Sequence, residues 1–298
     1  MHEAPAKTCA RVAAQFDLAF RPPFDADQVF GFLRLRCVDG VEAFEHGSYR
    51  RVLSLPHGEA HVSLRPYDSH IECGLELTDG RDTEAAVQQC RRLLDLDADP
   101  VAVSSVLAQD DLLAPIVRQR PGLRVPGHVD TNEVAVRAVL GQQVSVAGAR
   151  TLAGRLVQAH GRRSTIADPS GALTHRFPTA AELAEAGPMA GGMPRSRALA
   201  LHALVTALAD GTVTINDQQD RGELARRLTS IRGIGPWTAS YIMMRALGDQ
   251  DVFLPTDLGV RHALVRLGAQ GDPRSATTLA EAWRPWRSYA LMHLWASL

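Results

Sequence analysis

Between residues 48 and 78 the chain alternates apolar and polar positions in three short runs, SYRRVLSL, GEAHVSLRPY and SHIECGLELT, broken at PHG and YDS. A period of two places one side of a strand on a core and the other toward water, so the stretch predicts an antiparallel meander. Ahead of it, DLAFRPPF reads as a strand stopped by Pro22 and Pro23, and DADQVFGFLRLRCV as an amphipathic helix with Asp25 near its cap. RDTEAAVQQCRRLLDL closes this region with a second helix. From Asp99 onward the apolar period lengthens to that of a helix, through TNEVAVRAVLGQQ, VAGARTLAGRLVQAHG, PTAAELAEAG, PRSRALALHALVTALADG and DRGELARRLTSI. Gly171, Gly187, Gly191 and Gly192 fall in the breaks, and RPGLRVPGH marks a junction. The pattern predicts a short flexible leader at 1–16, an α+β N-terminal domain at 17–100, and an all-α helical bundle at 101–298.

Within the bundle, SIRGIGPWTASYIMMRAL joins two helices through a glycine turn, over about 220–248. Gly233 and Gly235 admit the positive-φ conformations that aim successive N–H groups the same way. Pro236 suits the first helical position, and the positive end of the following helix then faces the turn, which favours a phosphate. An ordinary helix corner with no ligand has the same sequence signature. Trp237 and Tyr241 are four apart and share one helix face, either as a surface on which a base stacks or as a strip of core. Asp257 heads LGVRHALVRLG, where it serves as a helix N-cap; the same place stabilises an ionised carboxylate, so a cap and a chemical role are compatible. The last eighteen residues, EAWRPWRSYALMHLWASL, concentrate Trp283, Trp286, Tyr289 and Trp295 in a chain only 5% aromatic.

Composition narrows the classes. A chain of 298 residues that is 45% hydrophobic buries a sizeable core. It contains no apolar run of membrane-spanning length, and MHEAPAKTCARVAAQ lacks the apolar core of a signal peptide, so a cytoplasmic protein is expected. The net charge of −1 gives no support for nucleic-acid binding, although the positive balance lies in residues 128–298, with the glycine turn. Cys9, Cys37, Cys73 and Cys90 are scattered without a C-x-x-C pair and read as inert thiols, and His262 and His293 as packing or surface residues, so no zinc site is expected. Lys7 is the only lysine, and 31 of the 32 basic residues are arginines.

The run SIRGIGPWTASY followed by DVFLPTD resembles the helix-hairpin-helix DNA glycosylases, and most closely the DNA-3-methyladenine glycosylase II family of bacterial alkylation repair. FRPPFDADQVFGFLRLR, RPGLRVPGHVDTNEVAVRAVLGQQVSV and WRPWRSYALMHLW support it in the same order, so that the resemblance spans about residue 17 to the end. It implies that Asp257 is catalytic, that Trp237, Tyr241, Trp295 and Phe32 form the base pocket, and that Gly233, Gly235, Gln142 and Gln143 meet DNA. Gln143 stands where the best-known relatives have a leucine that fills the gap left by an extruded base, and Leu258 where the prototype has a tyrosine. The carbonyls of Thr229, Ile231 and Ile234 map to a monovalent-cation site. No cofactor is implied as required, and the cysteines lie too early in the chain for the C-terminal iron–sulfur cluster of some relatives. In the branch that also nicks DNA, a lysine holds the position of Trp237, which here implies hydrolysis by water alone.

The expected function is therefore monofunctional removal of alkylated bases from double-stranded DNA by a monomer acting at the nucleoid. A glycosylase for another lesion class, such as deaminated purines, and a non-catalytic helix-hairpin-helix DNA-binding protein stay open as alternatives.

Overall fold

The computed structural model describes residues 11–188 and 193–298. Lys7, Cys9, Gly191 and Gly192 lie outside them. Five antiparallel strands, β1 (Val12–Ala19), β2 (Glu42–Glu45), β3 (Ser48–Leu55), β4 (Gly58–Pro66) and β5 (His70–Leu77), form one sheet in the order β1-β5-β4-β3-β2. The predicted meander is β3–β5, and the alternation is plainest in β5, where Ile71, Cys73, Leu75 and Leu77 are buried. The expected leader is corrected over residues 12–16. Val12 to Phe16 belong to β1, paired against Cys73–Leu77, because the outer edge of β5 offers a ladder that the leader completes. β2 was not foreseen; it pairs with β3 from Glu42↔Arg51 to Glu45↔Ser48.

Helix α1 (Ala26–Arg36) begins where Asp25 accepts from the Gln28 N–H at 3.0 Å, and α2 (Thr83–Leu94) follows the sheet. Then come α3 (Pro100–Leu107), α4 (Ala114–Gln119), α5 (Thr131–Leu140), α6 (Val146–His160), α7 (Ala180–Ala186) and α8 (Arg195–Ala209). The chain ends with α9 (Arg221–Ser230), α10 (Pro236–Leu247), α11 (Leu258–Arg266), α12 (Pro273–Ala280) and α13 (Arg287–Ala296). Residues 161–179, between α6 and α7, are laid along the sheet instead of coiled. Glu59 on β4 accepts from the Ile166 N–H at 3.1 Å and the Ser164 hydroxyl at 3.0 Å, and Arg50 on β3 pairs with Asp168.

Apolar packing divides differently from the order of the elements. One core joins the sheet, α1 and α2 to the last helices, with Leu53, Leu94, Leu264, Trp283 and Tyr289 in a single cluster. The other joins α5 through α10, with Leu140, Leu156, Leu204 and Ile242, and takes in Val38 and Val41 from the segment after α1. A cleft of about 1540 Å³ is lined by members of both cores, Phe32 and Met292 from the first and Val134 and Ala138 from the second. Among the described residues, no helix is long and apolar enough to cross a membrane.

Candidate active site

Asp257 is the N-cap of α11, and its Oδ1 accepts from the Val260 N–H at 3.0 Å. Two indoles complete its surroundings: Trp237 Nε1 donates to Oδ2 at 3.1 Å and Trp295 Nε1 to Oδ1 at 2.9 Å. The carboxylate is thus held by the start of its own helix, by α10 and by α13 at once. Gly259 makes the approach possible. A Cβ there would stand 3.1 Å from both Asp257 Oδ1 and Trp295 Cδ1, so a side chain would crowd both groups and force them to shift by a few tenths of an ångström.

Trp237 and Tyr241 stack with centroids 5.2 Å apart and planes 6° from parallel, as their i, i+4 spacing requires. One turn further along α10, buried Arg245 donates to the Tyr241 hydroxyl at 2.7 Å and to the carbonyls of Pro126 and Gly127. Its guanidinium lies 4.6 Å from the Phe32 ring centroid, and that of Arg36 lies 3.6 Å from it. Burial holds Arg36 down to about 10. Burial also pushes the Tyr241 phenol upward, but Arg245, Arg36 and Arg137 outweigh it and the net shift is downward. Phe32, Trp237, Tyr241, Asp257 and Trp295 all line the cleft, as do Gln142, Gln143 and Gly233.

Beneath this wall two carboxylates and two guanidiniums neutralise one another. Glu42 accepts from Arg51 at 3.3 Å, Arg137 at 3.0 Å and the Tyr49 hydroxyl at 2.5 Å; Glu133 accepts from Arg51 at 2.8 Å and Arg137 at 3.0 Å. Burial alone works against the guanidinium charges, yet Glu133 and Glu42 raise Arg51 and Arg137 above the ordinary arginine value. It ties β2 and β3 to α5, and removing one member leaves a buried charge unpaired, at a cost of about 3–5 kcal/mol. Sequence reasoning missed this network, Gly259, Arg36 and Arg245. Three arginines carried a local signal, a spacing of four: Arg36 from Phe32, Arg137 from Glu133 and Arg245 from Tyr241.

Of the two glycines in the α9–α10 turn, the backbone requires one. Gly233 has φ +94°, and a Cβ there would meet the Ala200 Cβ at 2.6 Å. Gly235 is corrected: its φ is −90°, an extended conformation open to any residue, and nothing lies within 4 Å of a Cβ built on it. It is the N-cap of α10, and no side chain caps that helix, so the turn presents an uncapped helix start on open ground. Ile234 is buried, and its N–H donates to the Ile231 carbonyl at 2.9 Å. Thr229 lies in the last turn of α9.

Gln142 and Gln143 part company. Gln143 is exposed at the cleft, with φ +55°, whereas Gln142 donates to the Gly233 carbonyl and to Thr238 Oγ1, both at 3.0 Å. The Gln142 amide nitrogen is thus bonded to the turn, while the residue itself lines the cleft. Leu258 stands at the cleft 65% exposed. Cys37, Cys73 and Cys90 are buried, and burial pushes the Cys37 thiol up to about 12, which keeps it unreactive. Among the described residues no group of three or more His, Cys, Asp and Glu is arranged to hold a metal ion.

Solved structures define the class first. The fold matches that of 3-methyladenine DNA-glycosylase from Archaeoglobus fulgidus over 94% of this chain and 97% of that one, with TM-score 0.80 at 23% identity. It also matches Clostridium acetobutylicum 8-oxoguanine glycosylase/lyase, solved with double-stranded DNA, over 92% and 91%, with TM-score 0.71 at 18% identity. The fold is thus one that DNA glycosylases use. Sequence comparison goes further. Residues 15–130 match the AlkA N-terminal domain, and the chain is 36% identical to Escherichia coli DNA-3-methyladenine glycosylase 2, across 94% of its own length and 96% of the other. The chain belongs to the DNA-3-methyladenine glycosylase 2 family. It is also 45% identical, over 97% of its length, to a Mycobacterium tuberculosis protein described as a probable bifunctional transcriptional activator/DNA repair enzyme AlkA, of which it spans 60%.

Proposed function

We propose that this chain is a monofunctional DNA glycosylase of base excision repair, which extrudes alkylated bases such as 3-methyladenine and 7-methylguanine from duplex DNA and hydrolyses the N-glycosidic bond. The observation that carries the reading is a carboxylate held by a helix N-terminus and two indoles, at the mouth of an aromatic cleft, beside an uncapped second helix start. The start of α10, with the Gly233 turn and the open ground at Gly235, grips a backbone phosphate. Gln143 fills the gap as the lesion leaves the stack, and the base enters among Trp237, Tyr241, Trp295 and Phe32.

A cationic base is already a good leaving group and gains about 0.5–2 kcal/mol against aromatic faces. Asp257 stabilises the positive charge that develops on the sugar, and lies where it also orients water. The chemistry then needs no cofactor. Trp237 in the position of the lyase lysine supports hydrolysis without strand cleavage. The carbonyls of Thr229, Ile231 and Ile234 fit a bound monovalent cation: the first two close α9 at its negative end, and the Ile231 oxygen keeps a lone pair beyond its bond to Ile234. A cation held there would add positive charge beside the turn, where a phosphate would approach. The protein works as a monomer on damaged double-stranded DNA.

A second reading rests on Arg36 and Arg245. Two guanidiniums against Phe32 favour a neutral base bearing oxygen acceptors over a cation, as does a leucine at 258 in place of an aromatic ring. Deaminated purines such as hypoxanthine fit that description. The test is chromatography of bases freed from methylated and from hypoxanthine-containing duplexes, with strand breaks counted before and after alkali. Release of methylated purines with breaks only after alkali is expected. Hypoxanthine release alone would favour the second reading, breaks before alkali would contradict the hydrolytic mechanism, and binding without release of any base would make the chain a non-catalytic DNA-binding protein.

A further inference from the structure

Gln142 joins two parts of the cleft that are remote in sequence. It follows the end of α5, where its own N–H closes on the Val139 carbonyl at 3.2 Å. Its carboxamide crosses to the α9–α10 turn, donating at 3.0 Å to the carbonyl of Gly233, the residue whose positive φ shapes that turn. The same nitrogen reaches the hydroxyl of Thr238, which is 3% exposed in the first turn of α10. The next residue, Gln143, is exposed and held at φ +55°, a conformation rare outside glycine, asparagine and aspartate. Residues 143–147 are all exposed, so the packing of their own side chains does little to hold this turn.

We propose that Gln142 is a positioning residue, a latch that makes the Gln143 turn and the phosphate-gripping turn one rigid body. This rests on the reading that the α9–α10 turn grips a phosphate and Gln143 fills the gap in the stack. With the latch closed, docking of the turn on the backbone places Gln143 at the lesion without a further search, so ordering is complete before the base moves. With it open, grip and chemistry survive, and extrusion suffers.

Gln142→Met keeps the length of the side chain and removes the donor. Thr238→Val removes one acceptor from the other side and guards against a folding defect peculiar to the first variant. Hydrogen–deuterium exchange of the free proteins reads the latch without reference to activity: faster exchange across 141–147 in Gln142→Met is expected, and unchanged protection would overturn the latch. Single-turnover release of 7-methylguanine reads its use. Opposite cytosine, Gln142→Met slows release about tenfold, the scale of one or two hydrogen bonds. Opposite thymine, where a mispaired base is cheaper to extrude, it slows release less than about threefold. Thr238→Val shifts both in the same direction by less. Equal slowing on both duplexes, or none, would refute the positioning role even if the exchange result held. A wild-type chain that released 7-methylguanine from neither duplex would instead refute the functional reading, leaving the exchange measurement to decide the latch.

Discussion

Asp257 and Asp95 are two aspartates with similar hydrogen-bond partners and different surroundings. Each accepts from one backbone N–H at 3.0 Å, of Val260 and Val125 respectively, and each faces aromatic donors: two indoles for Asp257, the Tyr289 hydroxyl at 2.9 Å for Asp95. They differ in helix end and in burial. Asp257 opens α11, where unpaired N–H groups favour negative charge, whereas Asp95 closes α2 in a left-handed conformation, where unpaired carbonyls oppose it. Burial pushes the Asp95 carboxyl up to about 6. Donors to a carboxylate do not by themselves make it the electrostatic catalyst proposed for Asp257; a helix start and access to the cleft are what set it apart from the buried carboxyl of Asp95.

The largest expected effect removes the charge while keeping the cap. Asparagine caps helices about as well as aspartate, so Asp257→Asn is expected to retain its melting temperature within about 2 °C while base release falls at least ~100-fold. Trp295→Phe keeps a ring in the cleft and removes a donor to a charged acceptor, which predicts a fall of about tenfold in single-turnover rate. Gly235→Asp would make the start of α10 resemble that of α11 by supplying a capping anion of its own. A slightly more stable protein that binds duplex DNA roughly 5- to 20-fold more weakly is expected, measured by fluorescence anisotropy at fixed salt. Unchanged affinity would mean that the phosphate sits elsewhere. The smallest effect on base release is expected at Asp95. Its folded carboxyl holds a proton that the unfolded chain has lost between about pH 4 and 6, so stability falls as pH rises through that window, by at most about 3 kcal/mol. Asp95→Asn should flatten the decline in denaturant titrations at pH 4, 5 and 6; an unaltered slope would place the titrating group elsewhere.

The parts of the molecule that sequence made legible are those governed by local periodicity. β3–β5 and most helices follow from alternation and 3.6-residue spacing; Asp257, Trp237 and Tyr241 were singled out as a site by the family resemblance, their local pattern alone being that of a helix cap and a core strip. β2 is four residues long and α12 carries the polar run PRSATTLA, so neither produces a strong period. The Glu42–Arg51–Glu133–Arg137 network was hidden for another reason. Its strand members read as solvent-facing charges, and their partners on α5 lie more than eighty residues away. Gly235 and Gln142 show the limit of motif reading: one glycine of the pair needs no positive φ, and one glutamine of the pair is bonded to the α9–α10 turn.

The most direct test of the central claim measures two properties of the same Asp257→Asn protein: the single-turnover release of 3-methyladenine from methylated duplex DNA and the affinity for a duplex carrying an abasic-site analogue. Loss of release with affinity within about threefold of wild type is predicted, since the carboxylate acts on developing charge and the grip lies on α10. Release that survives the substitution would reduce Asp257 to a helix cap and contradict the account.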